Sequence, residues 1–257
     1  MSPLLTDDGR QALCALVARA PLCLFDFDGT LAPLAPDPAS VILPAPVRRQ
    51  LQALQRRLPV GIVSGRSLAD MRDRLRFVPD YLIGNHGLEG VPGERRQHAV
   101  LERICRGWKD WLATRLAVID SAIWLEDKRY SLSLHYLNAR DPSQAMIALS
   151  NLFAQLRPVP RIIPGKCIFS LLPQGRGDKG DAVRQLLRHT RREVALYVGD
   201  DVTDEDVFGL PGGAIFSVRV GCDAASAARW CLDDRAAVGI LLDILLRCVP
   251  VRESTER

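Results

Sequence analysis

The sequence predicts an α/β fold, a doubly wound parallel sheet interrupted by an inserted α+β domain, and three observations carry that prediction. Apolar runs of strand length recur at 22–27, 59–63, 81–84 and 194–199. Most of their residues are apolar without alternation, as strands covered on both faces require. Helical periodicity fills the intervals, giving strand–helix–strand units. Between residues 90 and 173 the texture changes to short alternating runs, so the core is expected over 1–89 and 174–257 and the inserted domain over 90–173.

Taken in order, a helix over 8–19 leads into the first strand. The segment Leu31-Ala-Pro-Leu-Ala-Pro-Asp-Pro-Ala crowds its turn formers too closely for a helix, and the next helix is predicted to open at Pro46 and run through Leu51, Leu54 and Leu58. Ser64, Gly65 and Arg66 follow the run at 59–63, ahead of a helix over 68–75, and Asn85-His86-Gly87-Leu88-Glu89 follows the run at 81–84. In the insertion, a helix over 101–118 aligns Trp108, Trp111, Leu112 and Leu116, and strands at 124–126 and 130–136 join at Asp127-Lys128-Arg129. A helix over 142–156 and strands at 161–163 and 167–172 complete it. Ser131-Leu-Ser-Leu-His135 alternates, which predicts an antiparallel strand with one wet face. Beyond 177, Asp178-Lys179-Gly180 opens a helix, a final strand is expected at 214–220, a closing helix at 236–248 and a frayed tail at 251–257.

Composition narrows the function. The 257 residues are 47% hydrophobic and 25% charged, with a formal net charge of +4, and basic and acidic residues are interspersed. That is a soluble globular chain with no charge block calling for nucleic acid. No run approaches the roughly 18 apolar residues of a membrane span. Asp7 and Asp8 stand early and no cationic segment precedes a long apolar stretch, so no secretory leader is expected. Cys14, Cys23, Cys105, Cys167, Cys222, Cys231 and Cys248 are scattered among mostly apolar neighbours without zinc spacing, and are expected to be reduced cysteines of a cytoplasmic protein.

The chemistry concentrates at strand ends, where open α/β sheets hold ligands. Asp26, Asp28, Gly29 and Thr30 close the first strand, and Asp200 and Asp201 close the strand at 194–199. Carboxylates on neighbouring strand ends repel one another unless a cation lies between them. Oxygen donors without nearby cysteine or histidine favour Mg²⁺, an ion that commonly works on phosphate. The hydroxyls of Thr30 and Ser64, the backbone N–H groups near Gly29 and Gly65, and Lys179 at a helix start all suit phosphate oxygens. Of 34 basic residues only Lys109, Lys128, Lys166 and Lys179 are lysines, which makes a lysine beside Asp178 and Gly180 notable. Singly, Asp28-Gly29 also reads as an ordinary turn and Lys179 as a solvated helix cap; four converging segments favour a site.

In these motifs the chain resembles the haloacid dehalogenase superfamily of phosphotransferases: Asp26-Phe-Asp28-Gly-Thr30, Ser64, Lys179, and Gly199-Asp200-Asp201-Val-Thr-Asp204-Glu205 stand in that order. Within the superfamily, residues 20–232 resemble the trehalose-6-phosphate phosphatase family through Gly84-Asn-His86-Gly-Leu-Glu89, Glu126-Asp-Lys128, His135-Tyr136, Gly165-Lys166 and Asp178-Lys179-Gly180. The resemblance implies a Rossmann-like core with a mobile inserted cap. It implies that Asp26 is the nucleophile and Asp28 the proton carrier, and that Asp26, Asp200 and the Asp28 carbonyl bind Mg²⁺. Ser64, Thr30 and Lys179 would hold the phosphoryl oxygens, Asp201 and Asp204 would orient metal-bound water or Lys179, and Arg66, Asn85, His86, Glu126, Lys128, His135 and Lys166 would contact the substrate, a small sugar phosphate. A monomer or weak oligomer is expected, with neither nucleic acid nor membrane as partner. The chain departs from the family pattern at Leu137, Ser170 and Leu172, where an arginine, a glutamate and a basic residue are usual. Those departures keep open a different sugar phosphate, and a catalytically silent sensor is a further alternative. Outside the resemblance, His135 also reads as a satisfied strand histidine, and Glu126 with Lys128 as a solvated pair.

Overall fold

A computed structural model describes residues 1–35, 37–93, 98–175 and 177–249, so the tail expected at 251–257 falls outside the described residues. In chain order the elements are β1 (Ser2–Pro3), α1 (Asp7–Ala18), β2 (Leu22–Phe25), α2 (Ala45–Gln55), β3 (Val60–Val63), α3 (Leu68–Leu75) and β4 (Tyr81–Ile83). Then follow α4 (His98–Ile119), β5 (Trp124–Asp127), β6 (Leu132–His135), α5 (Pro142–Phe153), β7 (Pro160–Gly165) and β8 (Ile168–Pro173). The chain closes with α6 (Lys179–Thr190), β9 (Ala195–Gly199), α7 (Glu205–Phe208), β10 (Ile215–Val220), β11 (Trp230–Leu232) and α8 (Ala237–Cys248). They form two units, Met1–Pro92 with Gly177–Arg257, and Gly93–Arg176.

In the first unit the strands run in the order β1-β11-β10-β9-β2-β3-β4, and every pairing is parallel. Side chains alternate across each strand. Cys23, Phe25, Leu196 and Val198 join one core with Leu13, Leu51, Leu241 and Leu245 of the helices, while Leu22, Leu24, Ala195 and Tyr197 join another with Ala182, Val183, Leu186 and Val207. Both faces are therefore covered, which is why these runs show no alternation in the sequence. Phe25 pairs with Val198 on one side and Ile62 on the other, so β2 lies between β9 and β3 and its end meets theirs.

Two strands escaped the sequence reading: β1, and β11, which follows the strand expected to be last. With two and three residues they are too short for periodicity to register. The second helix ends at Gln55, and Leu58 is buried in the turn beyond it.

The second unit carries an antiparallel sheet in the order β5-β6-β8-β7. Trp108, Leu112 and Leu116 of α4 and Leu149 and Phe153 of α5 pack with Leu132, Leu134, Phe169 and Leu171 of the sheet. The wet face expected for β6 is corrected: Ser131 and Ser133 are fully buried. Ser133 can be buried because its Oγ lies 3.2 Å from Ser170 Oγ, one hydroxyl donating to the other across the strand pair.

The expectation of reduced cysteines is overturned for four of the seven. Cys14 is bonded to Cys248, and Cys222 to Cys231; Cys23, Cys105 and Cys167 are free thiols. Helices α1 and α8 pack together from opposite ends of the sequence, and no spacing rule could have paired residues 234 apart. Cross-linking across that separation restricts the unfolded chain, so Cys14→Ser/Cys248→Ser is expected to lose about 2–5 kcal/mol of stability. A fall in denaturation midpoint, reproduced in the wild-type chain by reductant, checks this; an unchanged midpoint would refute it.

Candidate active site

The first acid strand ends in a tight turn. Asp26 continues the ladder by donating its N–H to the Val198 carbonyl (2.8 Å), and Leu31 and Ala32 N–H return to Phe27 O at 3.0 and 2.8 Å. At the turn Gly29 has φ +82°, and a Cβ there would overlap the Asp200 carboxylate. Glycine is thus required twice, for the left-handed backbone and for the close approach of the two acid segments. The turn delivers Thr30, whose hydroxyl donates to Asp200 Oδ1 at 2.8 Å.

Lys179 is the first residue of α6, behind the N-cap Asp178, whose carboxylate accepts the Asp181 N–H at 2.8 Å. It shares a helix face with Ala182, Val183 and Leu186 and is consequently buried with them. Its Nζ donates to Asp26 Oδ1 and Asp204 Oδ1, both at 2.7 Å. The solvated-cap alternative is excluded by a side chain only 2% exposed. Asp204 has every oxygen engaged: Oδ1 also accepts the Tyr197 hydroxyl at 2.7 Å, and Oδ2 accepts the N–H groups of Asp200 (2.9 Å) and Asp201 (3.0 Å). Tyr197 was missed by sequence reading; the signal was a hydroxyl inside a strand buried on both faces. Asp201 is exposed, and its carboxylate accepts the Val202 N–H.

Asp28 and Arg66 meet. Arg66 Nε and Nη2 donate to Asp28 Oδ2 and Oδ1 at 2.6 and 2.7 Å, and Nη1 reaches Asp70 Oδ2 at 2.9 Å. Asp70 in turn grips Arg74 at 2.7 and 2.6 Å, and Arg74 donates to the carbonyls of Ala39 and Val41. Burial works against the Asp70 charge, but hydrogen bonds from Arg74 and Arg66 outweigh it and hold its carboxyl below the usual range. Ser64 is buried and accepts the Arg66 N–H at 3.1 Å. Asn85 is fully buried and its amide donates to Glu89 Oε2 at 2.8 Å; His86, in a left-handed conformation, donates its N–H to Ser64 O at 3.0 Å.

In the inserted unit, Glu126 and His135 stand on adjacent strands, His135 Nε2–H donating to Glu126 Oε2 at 3.0 Å, with Lys128 Nζ 3.6 Å from the same oxygen. Lys166 is exposed in the β7–β8 turn. Asp26, Thr30, Ser64, Lys179, Asp200 and Asp204 thus gather at the strand ends of the first unit, while Glu126, Lys128 and His135 form a second group in the inserted unit.

Residues 24–210 match the family model "Trehalose-phosphatase". A trehalose-phosphate phosphatase of Mycobacterium bovis is 32% identical to the chain over 261 residues, covering 93% of this chain and 66% of the relative, so the chain spans about two thirds of that protein's length. Among solved structures, the C-terminal domain of a Candida albicans trehalose-6-phosphate phosphatase superposes with a TM-score of 0.72 at 22% identity, covering 96% of this chain and 98% of that one. An Aspergillus fumigatus trehalose-6-phosphate phosphatase gives 0.60 at 26% identity, covering 96% and 99%. The architecture, a parallel core with an antiparallel inserted sheet, is the haloacid dehalogenase phosphatase fold.

Electrostatics ask for a cation. One oxygen each from Asp26, Asp200 and Asp204 lie within 4.8 Å of one another, and a single ammonium, that of Lys179, bonds two of the three. Burial, together with Asp204 and Asp200, raises Asp26 well above the usual carboxylate range against the opposing pull of Lys179. Burial opposes the Lys179 charge, but Asp204 and Asp26 hold that ammonium firmly protonated. Burial, then Asp204 and Asp201, pushes Asp200 up to about 7 in spite of the Thr30 hydrogen bond. These residues fit a hard divalent ion: Asp26 Oδ2 and Asp200 Oδ2 carry no hydrogen bond among the described residues, whereas both oxygens of Asp204 are taken. An unfolded aspartate titrates near 3.9, so between about pH 4 and 7 the folded chain holds a proton that the unfolded chain has lost. Cation-free stability is therefore expected to fall as pH rises through that window. A divalent cation is expected to raise the melting temperature more at pH 8 than at pH 5; equal shifts would contradict the assignment.

Proposed function

The chain belongs to the trehalose-phosphatase family, and from that membership we propose that it hydrolyses trehalose 6-phosphate to trehalose and inorganic phosphate, with Mg²⁺ as its cofactor. The observation that carries the chemistry is the buried contact of Lys179 with Asp26. An ammonium 2.7 Å from a desolvated carboxylate favours its ionised form, which is the nucleophile.

In the proposed reaction an Asp26 oxygen attacks phosphorus, the bond from phosphorus to the sugar oxygen breaks, and Asp28 gives its proton to that oxygen. Water then attacks the aspartyl-phosphate, Asp28 takes a proton from it, and the Asp26–phosphorus bond breaks, freeing phosphate and restoring both carboxyl groups. Mg²⁺, held by Asp26, Asp200 and the backbone carbonyl of Asp28, would neutralise charge on the phosphoryl oxygens. Lys179, Ser64 and Thr30 orient the phosphoryl group. Asp204 and Tyr197 act through Lys179 by fixing its ammonium. Arg66 holds Asp28, and Asn85 and His86 shape the loop after β4. Glu126, Lys128, His135 and Lys166 of the inserted unit are proposed to contact the sugar.

Ser170, Leu137 and Leu172 favour a second reading, a different sugar phosphate turned over by the same chemistry, because hydrogen bonds to hydroxyls are what discriminate sugars. Phosphate release from a panel of disaccharide and monosaccharide phosphates, with and without Mg²⁺, separates the two; a preference for trehalose 6-phosphate supports the first. Asp26→Asn is nearly isosteric and is expected to lose turnover on the order of 10³-fold or more with the fold retained. Near-normal release by that variant would overturn the mechanism, and no release by the wild-type chain from any sugar phosphate would leave a sensor.

A further inference from the structure

Trp124 is 58% exposed, whereas Trp108 and Trp230 are buried at 1% and 7%. Its indole does not hang loose. It stacks on the His135 ring, the centroids 4.6 Å apart and the planes inclined by 27°, and His135 is fixed from behind by its 3.0 Å hydrogen bond to Glu126. Trp124 pairs with His135 and Glu126 with Ser133 across β5 and β6, and Ser133 pairs with Ser170 on β8, so indole, imidazole, carboxylate and two hydroxyls share one face of the inserted sheet. The charges on that face are matched, Lys128 Nζ lying 3.6 Å from Glu126.

We propose that the Trp124–His135 stack is a platform for a pyranose ring, and that Trp124 is a specificity-determining residue for the sugar of the substrate; the identity of the occupant rests on the sugar-phosphate reading above. A flat, immobilised indole offers apolar area that water covers poorly. A pyranose has a matching C–H face, and its hydroxyls project from the ring edge, where a carboxylate and an imidazole can exchange hydrogen bonds with them. The paired charges favour an uncharged ring over an ionic group. Specificity so built depends on stacking area, and it differs from a surface that recognises sugar through additional charged contacts.

The test has a kinetic and a binding arm. Trp124→Ala and Trp124→Phe are compared with wild type on trehalose 6-phosphate and on p-nitrophenyl phosphate, which has no sugar. The ratio of kcat/KM for the sugar phosphate to that for the aryl phosphate is expected to fall tenfold or more in Trp124→Ala, chiefly through KM, and less in Trp124→Phe, which retains a ring. Equal losses on both substrates would show that Trp124 serves only the fold, and an unchanged ratio would show that it does not touch the sugar; either result overturns the proposal. In the binding arm, unphosphorylated trehalose titrated into the wild-type chain is expected to shift tryptophan emission, and the shift is expected to vanish in Trp124→Phe. This arm needs no phosphatase activity. If phosphate release fails on every substrate, a saturable, Trp124-dependent shift still supports the platform, and its absence overturns it.

Discussion

Everything at the strand ends depends on one buried ammonium. Lys179 is surrounded by Asp26 and Asp204, with Asp200 within reach of both, in a region too dry for any of these charges to stand alone. Lys179 opposes the burial and the neighbouring carboxylates that push Asp26 toward its protonated form, and Asp204 holds Lys179 in place. The price of this arrangement is a surplus of negative charge, and it is that surplus which gives a divalent cation its place. Removing the lysine would leave buried carboxylates facing one another, so its position is constrained by folding and by chemistry at once.

The fold supplies the convergence. A parallel sheet sends its strand ends to one edge, and β2 between β9 and β3 brings Asp26, Asp200 and Ser64 there from three distant parts of the chain. Helix α6 adds Lys179 from its first turn, and the glycine at 29 lets the two acid segments touch. Each is a local choice, a cap, a turn or a buried face, and each agrees with the others, which is how a marginally stable chain can hold so many charges close together.

Much of this was legible in the residues. Apolar runs without alternation meant strands covered on both faces, and polar residues closing those runs had no packing reason to be there. Tyr197 was hidden because one hydroxyl in Ala195-Leu-Tyr-Val-Gly199 does not disturb a hydrophobic pattern. The disulfides were hidden because Cys14 and Cys248 become neighbours only after α1 and α8 pack. The burial of Ser131 and Ser133 was hidden because alternation reports the polarity of a side chain and not whether a partner such as Ser170 awaits it. The sequence speaks through periodicity and through clusters of unusual residues; contacts made singly across long separations leave no such trace.

Arg66 shows how the two kinds of information combine. In the sequence it followed Ser64 and Gly65, and the resemblance assigned it to the substrate; in the structure both oxygens of Asp28 are bound by it, and its remaining nitrogen by Asp70. A carboxylate held side-on by a guanidinium is pointed in one direction. On the proposed mechanism Asp28 has to carry a proton once and accept one once, and its contact with Arg66 sets the direction in which it does both. Asp70 and Arg74 then matter as well, for they determine how firmly Arg66 is held. Arg74 is anchored to the carbonyls of Ala39 and Val41 in the proline-rich segment after β2. The chain of ion pairs thus begins at Asp28 and ends in the loop that follows it, which makes the orientation of Asp28 a property of that whole loop as well as of its own turn.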